Sequence, residues 1–317
     1  MGQSELSNQV SPDIPVIDYE GSSYQTDFWM GQGRDYEDKA ERMVLDRLVP
    51  KKGTRVAEIG AGFGRLADLY LGYEQIILFD YSRTLLQEAV DRWGTDPRFV
   101  FVAGNIYQLP LASEVLDTLV MVRVMHHLAD VQTALTQIKR VLQKESWAIL
   151  EYANKRNLKS LLRWYLGQQS WSPNSLEPVE FVELNFDFHP HWMDECFQKV
   201  GLRKAEQLAV SHFRLPLLKK TISPEFLVQI EQMLVKPGGL FPLAPSVFVK
   251  MSVQEGTSTA EPSQTKDHPI DDLAHLFRCP QCETESLIRE SDSSLHCQSC
   301  RTRYLRKNKI WDFKNPQ

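Results

Sequence analysis

A doubly wound α/β fold, with seven strands in one mostly parallel sheet and a small extra domain at the C-terminus, is what this 317-residue sequence predicts. Three observations carry the prediction. From Thr54 onward, short apolar runs alternate with amphipathic helical patterns, the rhythm of a parallel sheet covered on both faces. The run Val56-Ala57-Glu58-Ile59-Gly60-Ala61-Gly62-Phe63-Gly64 sends a strand straight into a glycine-rich turn. Four of the five cysteines fall into two Cys-x-x-Cys pairs near the end, well past the last strand pattern.

The elements follow from periodicity. A helix is predicted from about Asp35, where Ala40, Met43, Val44 and Leu48 share an apolar face and the charged residues take the other. Strands are predicted at residues 55–59, 75–79, 99–102, 115–122 and 147–152, with helices at 65–71, 84–93 and 131–142 serving as crossovers. Residues 154–190 form a long segment rich in aromatics, with a helix around Leu158 to Leu166, and segments of that length are usually functional. A further helix, Trp192 to Val200, stops at Gly201, where the missing Cβ suits a left-handed cap. Residues 205–210 and 246–253 read as an antiparallel end to the sheet, enclosing a helix that starts after Pro224. The division is a tail and aromatic cover segment at 1–34 (Tyr24, Phe28, Trp29), a main domain at 35–253, a flexible polar linker at 254–270 and a terminal domain at 271–317.

Composition excludes some classes. Apolar residues make up 42% of the chain, enough to build a real core, and the net charge of −5 gives no whole-molecule attraction for a polyanion. The N-terminus lacks the layout of a signal peptide and no stretch is long and apolar enough to span a membrane, so a cytoplasmic protein is expected. In that compartment, paired cysteines point to metal rather than disulfides, and the lone Cys196 to inert packing.

The glycine turn gains weight from Asp80, which ends the second strand and can accept both hydrogen bonds of a ribose diol. A dinucleotide fingerprint requires a third glycine where this chain has Arg65. The spacing acid-x-Gly-x-Gly-x-Gly instead resembles the first motif of class I S-adenosylmethionine (SAM)-dependent methyltransferases, a Rossmann-like fold. The resemblance runs from about Ala40 to Val253 and is nearest to the type 11 enzymes that include the menaquinone and ubiquinone methyltransferases. It implies a cofactor site at Glu58, Gly60, Ala61, Gly62, Gly64, Asp80, Tyr81 and Arg123. Ala103-Gly104-Asn105-Ile106 is similar to the family's third-strand motif, which implies Asn105 at the adenine amino group and Ile106 along the ring. Val124-Met125-His126-His127-Leu128 is similar to the segment beside the reacting methyl.

SAM carries its own activation, so the protein mainly has to align an acceptor behind the methyl, and a base is needed only if the acceptor must lose a proton. His126 and His127 are the candidate catalytic residues, with cofactor packing or loop capping as the alternative role. The stretch Glu183 to His191 is a candidate lid or, less simply, a metal site at Asp187, His189 and His191. Val122-Arg123-Val124-Met125 stands where nucleobase and glutamine methylases tend to carry Asn/Asp-Pro-Pro-Tyr. That favours transfer of the sulfonium methyl, by in-line displacement, to a small-molecule or lipid-like acceptor. The alternatives are an RNA methyltransferase and a non-catalytic SAM-binding or zinc adaptor protein.

Cys279-Pro280-Gln281-Cys282 and Cys297-Gln298-Ser299-Cys300 offer four thiolates in two knuckles, the donor set of a structural Zn²⁺ site. Redox dithiols are the alternative. Phe277 to Phe313 resembles the short zinc-ribbon proteins that activate tRNA and protein methyltransferases, which implies a zinc ribbon able to recruit a protein partner. Arg301, Arg303, Arg306, Lys307 and Lys309 form a basic cluster on it, a contact for RNA or a solvated face.

Overall fold

The computed structural model describes residues 14–21, 34–253, 270 and 272–317. Tyr24, Phe28 and Trp29 of the expected cover, and residues 254–269 of the expected linker, lie outside the described residues.

Five parallel strands build the centre: β1 (Gly53–Ile59), β2 (Tyr73–Asp80), β3 (Phe99–Ala103), β4 (Leu116–Met121) and β5 (Leu142–Ala153). A hairpin of β6 (Val179–Val182) and β7 (Asn185–Asp187) stands apart. Then β8 (Leu202–Val210) and β9 (Ser246–Val253) close the sheet antiparallel, with β9 between β5 and β8. The order β3-β2-β1-β4-β5-β9-β8 is the seven-stranded arrangement the sequence predicts.

The sheet does not end at β3. The terminal region forms β10 (Leu287–Ser291), β11 (Ser294–Cys297), β12 (Arg303–Lys307) and β13 (Ile310–Asp312), an antiparallel meander. Its last strand pairs parallel with β3, matching Ile310 with Phe101 and Asp312 with Ala103, so that one sheet has eleven strands. An uncovered β3 edge would offer its amides to any passing strand, and β13 occupies it.

The helices are α1 (Asp35–Leu48), α2 (Arg83–Trp93), α3 (Val131–Val141), α4 (Leu158–Tyr165), α5 (Pro190–Lys199), α6 (Pro216–Thr221) and α7 (Pro224–Leu240). Ser82 and Asp130 cap α2 and α3 by accepting the Leu85 and Thr133 amides. Two features depart from the expected pattern. The helix predicted at 65–71 is only a 3₁₀ turn, Ala67–Tyr70, because the glycine turn runs on through residues 62–66 and takes the first part of the connection. The β3 to β4 connection likewise holds only a 3₁₀ turn, Ile106–Gln108.

The sheet face left bare by that second short crossover is filled from the C-terminus. Phe277 packs at 5.9 Å from Trp311 and 4.9 Å from Phe313, and all three are buried in the cluster that contains Ile77, Phe79, Val100 and Val102. The backbone is tied in as well: Ala112 donates to the Leu276 carbonyl at 2.9 Å and Arg278 to that of Pro110 at 3.1 Å. The four-cysteine unit therefore shares its core with the main sheet.

Helix α1 also differs from expectation: its charged residues are not all on the solvent side. Glu37 and Glu41 are buried on the same face as Ala40 and Val44. Each is compensated by cations from elsewhere: Lys219 meets Glu37 at 2.7 Å, and Arg65 and Arg123 meet Glu41.

Candidate functional site

At the C-terminal ends of β1 and β2 the chain must turn sharply. Gly60 and Gly62 adopt φ of +73° and +54°, and a Cβ on Gly60 would sit 2.1 Å from Val124. The Gly60 and Ala61 amides donate to the Phe79 carbonyl at 2.8 and 3.0 Å. Asp80 then locks the turn: Oδ2 accepts the Gly62 amide at 2.7 Å and Oδ1 the Ser82 amide at 2.8 Å. Burial raises the Asp80 carboxyl above its ordinary pKa, while those amides work in the other direction.

Above the turn opens a cleft. Gly60, Gly62, Asp80, Tyr81, Ile106, Arg123 and His127 line it, together with Val16, Ile17 and Tyr19 from the N-terminal segment. A smaller recess adjoins it, lined by Glu58, Ala61, Arg65 and Arg123. One oxygen of the buried Glu58 has no hydrogen-bond partner there. An ammonium group would complete it.

Three predicted site residues, Asn105, Gly64 and His126, lie off the cleft wall. Asn105 turns its Oδ1 onto the Tyr107 amide at 2.9 Å and caps the 3₁₀ turn, so that Ile106 and Tyr107 form the wall. Gly64 packs under Trp93 of α2 and gives its carbonyl to the indole N–H at 3.2 Å.

His127 Nδ1 lies 3.1 Å from the Leu184 carbonyl, an acceptor, which makes Nδ1 the protonated nitrogen. Its Nε2 then accepts the Tyr19 hydroxyl at 3.3 Å. His126 lies beside it, tilted by 48°, at 3.9 Å between ring centroids. Burial depresses both imidazoles, and for His126 the neighbouring His127, Arg123 and Arg214 depress it further. Both rings are therefore neutral at pH 7.

Beside the histidines lies a polar cluster of which sequence reasoning named only Arg123 and Asp187. Arg123, at φ +59°, donates its amide to Glu151 at 2.9 Å and pairs its guanidinium with Glu41. Burial opposes ionisation of Glu41, yet Arg123 and Arg65 hold its pKa below the usual carboxylate range. Asp187, pushed up to about 6 by burial, and the buried Arg214 face the same cluster. The chain leading to Arg214 is fixed by Glu231, which is fully buried: it accepts from the Tyr36 hydroxyl at 2.6 Å and the Ser211 amide at 2.7 Å. The available signal was an acid at position 41, in step with Ala40, Val44 and Leu48 on an apolar face.

The terminal domain reaches the same cleft. Lys314 donates to the Tyr81 carbonyl at 2.9 Å, lies 3.6 Å from the centre of the Tyr81 ring and pairs with Asp18 at 3.6 Å. Asp312 holds Arg83 at 3.1 Å at the start of α2. Losing the cation–π contact and the charged hydrogen bond together is worth about 1 to 2 kcal/mol. Lys314→Ala is therefore expected to weaken SAM binding roughly 5- to 30-fold by calorimetry, with little change in fold by circular dichroism.

The four cysteine sulfurs all lie within 4.8 Å of one another, with Cys279 3.6 Å from Cys300 and Cys282 3.5 Å from Cys297. Tetrahedral thiolates around Zn²⁺ at about 2.3 Å fit such spacings. Hydroxyls supply outer partners: Tyr304 to Cys279, Thr284 to Cys282 and Thr302 to Cys300, each at 3.1 Å. Burial works against the Cys297 thiolate, but the Cys300 amide and the Ser286 and Thr284 hydroxyls bring its pKa down to about 5. Asp187, His189 and His191 gather no such set among the described residues: His189 Nδ1 accepts the His191 amide at 3.1 Å, and His191 pairs with Glu195.

The family described as "Methyltransferase domain", type 11, matches residues 57–150. The chain has a SAM-dependent methyltransferase fold. A crystal structure from Listeria monocytogenes, described as a candidate SAM-dependent methyltransferase, superposes with a TM-score of 0.50 at 14% identity, over 69% of this chain and 99% of that one. A probable SAM-dependent methyltransferase of Mycobacterium tuberculosis is 29% identical over 123 residues, 38% of this chain and 44% of that protein. An uncharacterized methyltransferase of Bacillus velezensis is 31% identical over 104 residues, 32% of this chain and 48% of that protein. The chain thus spans under half the length of these curated relatives, and the match falls on β1 to β5 of the methyltransferase fold, where the cleft lies. SAM is the ligand that the family match supports for that cleft. Among the described residues, no helix is long and apolar enough to cross a membrane.

Proposed function

We propose that the chain is a SAM-dependent methyltransferase that passes the sulfonium methyl to a small-molecule or lipid-like acceptor by in-line displacement. The observation that carries this reading is the glycine turn locked onto Asp80, opening into a cleft bordered by Tyr19 and His127. In this reading Asp80 takes the ribose diol, Glu58 takes the ammonium of the amino-acid end beside the glycine turn, and Ile106 and Tyr81 border the adenine. The sulfonium supplies the electrophilic methyl. The side chains of this protein have only to aim an acceptor at it and exclude water. Where an acceptor must lose a proton, His127, which lines the cleft, is the candidate base, with His126 beside it.

An RNA acceptor is the second reading, and the basic face of the ribbon argues against it. Arg303 is paired with Glu290 at 3.1 Å, Arg306 lies over the Trp311 ring at 5.9 Å, and Lys309 donates to the Gly94 carbonyl at 2.8 Å. A ribbon that recruits a separate protein through its last strand is disfavoured in the same way, since β13 is paired with β3. Radiolabelled SAM incubated with the purified protein and fractionated cell extract tests the reading. Label in the small-molecule or lipid fraction supports it, label confined to RNA overturns the acceptor class, and SAM binding without transfer favours an adaptor.

Glu58 gives a sharper test of the cofactor site. Burial pushes its carboxyl up to about 8, against the pull of Arg65 and a hydrogen bond from Tyr70. Between an unfolded value near 4.3 and the folded value, the folded protein holds one more proton than the unfolded chain. Ligand-free stability should therefore fall as pH rises through that window, by at most about 1.4 kcal/mol per pH unit. An ammonium bound beside Glu58 reverses the preference. SAM binding near pH 7 should release up to about one proton, seen as a buffer-dependent heat when calorimetry in phosphate is compared with Tris. Glu58→Gln should abolish that difference.

A further inference from the structure

Between β5 and β6 the surface changes character. Helix α4 turns Leu158, Leu162, Tyr165 and Leu166 outward, exposed by 53%, 54%, 74% and 68%. These positions recur at helical spacing, so they form one stripe, whereas an ordinary surface helix hides its apolar stripe against the core. Here the buried member of the helix is Ser160. The stripe continues onto the end of α7: the Leu158 amide donates to the Leu243 carbonyl at 2.8 Å, and the adjoining Leu240 and Phe241 are 79% and 76% exposed. Contiguous exposed apolar surface of this kind marks an interaction site rather than scattered surface residues.

Charge identifies the occupant. From Asn154 to Leu176 the sequence holds Lys155, Arg156, Lys159 and Arg163 and no acidic residue, in a chain whose net charge is −5. Lys155 is buried, its Nζ held by the Ser175 hydroxyl at 2.9 Å and the Glu177 carbonyl, so it serves the fold. Arg156, Lys159 and Arg163 are exposed, and none of them forms an ion pair among the described residues. Leucines and a tyrosine flanked by unpaired cations are the composition of a helix that lies in the headgroup layer of an anionic bilayer. A nucleic acid would use the cations and leave the leucines wet. An apolar protein groove would cover the leucines and leave three cations without counter-charges.

We propose that the α4 face, extended by Leu240 and Phe241, docks this protein on an anionic lipid surface. The same segment leads to the cleft. The Lys155 amide donates to the Phe188 carbonyl at 3.0 Å, which ties the start of α4 to the end of the β6–β7 hairpin. That hairpin exposes Phe181 and Val182 and, at Leu184, holds His127. A lipid-embedded acceptor would thus enter beside the histidines; this last step rests on the methyl-transfer reading, whereas the docking surface stands without it.

Cosedimentation of the full chain with phosphatidylcholine vesicles, with and without phosphatidylglycerol, tests the surface. Binding is expected to the phosphatidylglycerol vesicles, weak binding to phosphatidylcholine alone, and a loss of binding as salt is added. The double variant Leu162→Glu, Leu166→Glu should bind at least about tenfold less, and Lys159→Glu with Arg163→Glu should lose the preference for the anionic lipid. SAM calorimetry on the same samples should be unchanged, which separates failure of the surface from failure of the cofactor site. The proposal is overturned if the wild type ignores phosphatidylglycerol vesicles, or if the leucine variant binds them equally well. It is also overturned if the leucine variant instead converts a dimer to a monomer in sedimentation velocity, which would assign the face to a second copy of this chain.

Discussion

Stripping the metal from the zinc-loaded protein with a chelator is expected to lower the melting temperature of the whole chain, not of the ribbon alone. A short four-thiolate unit takes much of its folding free energy from the metal, about 10 to 16 kcal/mol of apparent binding. That is comparable with the total stability of a typical domain. In an appended ribbon the loss would stay local. Here β13 is an internal strand of the sheet, with β3 on one side and β12 on the other. Trp311, Phe313 and Phe277 fill a face that the short β3 to β4 crossover leaves bare, and each buried ring is worth roughly 2 to 3 kcal/mol. If only about 4 kcal/mol of this coupling is lost, the midpoint should drop by roughly 8 to 16 °C. Cys297→Ser should have the same effect without chelator. Because Lys314 and Asp312 grip Tyr81 and Arg83, the metal-free protein should also bind SAM more weakly. Calorimetric scans decide the matter: two separate transitions, with the larger one unmoved by chelation, would show that the ribbon is a passenger.

How far the sequence reveals this architecture depends on which interactions are local. The strand into the glycine turn, Asp80 at the end of β2 and the two knuckles are each written within a few residues, and the structure brings Asp80 and the turn into direct contact. The antiparallel ending of the sheet is legible for the same reason: two strand patterns bracket a helix with a Ser-Pro start. What escapes notice is made by distant segments. The pairing of β13 with β3 joins residues over two hundred positions apart, and nothing in Ile310-Trp311-Asp312 names its partner. The same holds for Glu41, whose burial makes sense only once Arg65 and Arg123 arrive from two other loops. The missing crossover helix at 65–71 shows the opposite failure. Its local propensity for helix is real, and the glycine turn, which runs on through residues 62–66, leaves room only for a 3₁₀ turn.

Asp80→Ala should reduce SAM affinity by at least about a hundredfold. The carboxylate has two tasks, and the substitution removes both. It orders the turn by accepting the Gly62 and Ser82 amides at 2.7 and 2.8 Å, and its remaining lone pairs face the cleft where a ribose diol would sit. Hydrogen bonds to a charged group are worth about 1.5 to 3 kcal/mol each. Loss of two therefore corresponds to a factor of roughly 10² to 10⁴. Asp80→Asn separates the two tasks: its one carbonyl oxygen can still hold a turn amide, but the amide nitrogen cannot accept the second bond, so an intermediate loss near tenfold is expected. Neither variant touches the cysteine site or the β13 pairing, and both should keep the wild-type circular dichroism spectrum. Burial raises the Asp80 pKa, so wild-type affinity should also fall on acidification, and Asp80→Ala should lose the part of this pH dependence that comes from Asp80 while keeping the part that comes from Glu58. Titration calorimetry of the three proteins provides the readout. An Asp80→Ala protein that binds SAM within about threefold of wild type would mean that the cofactor is not held at the end of β2.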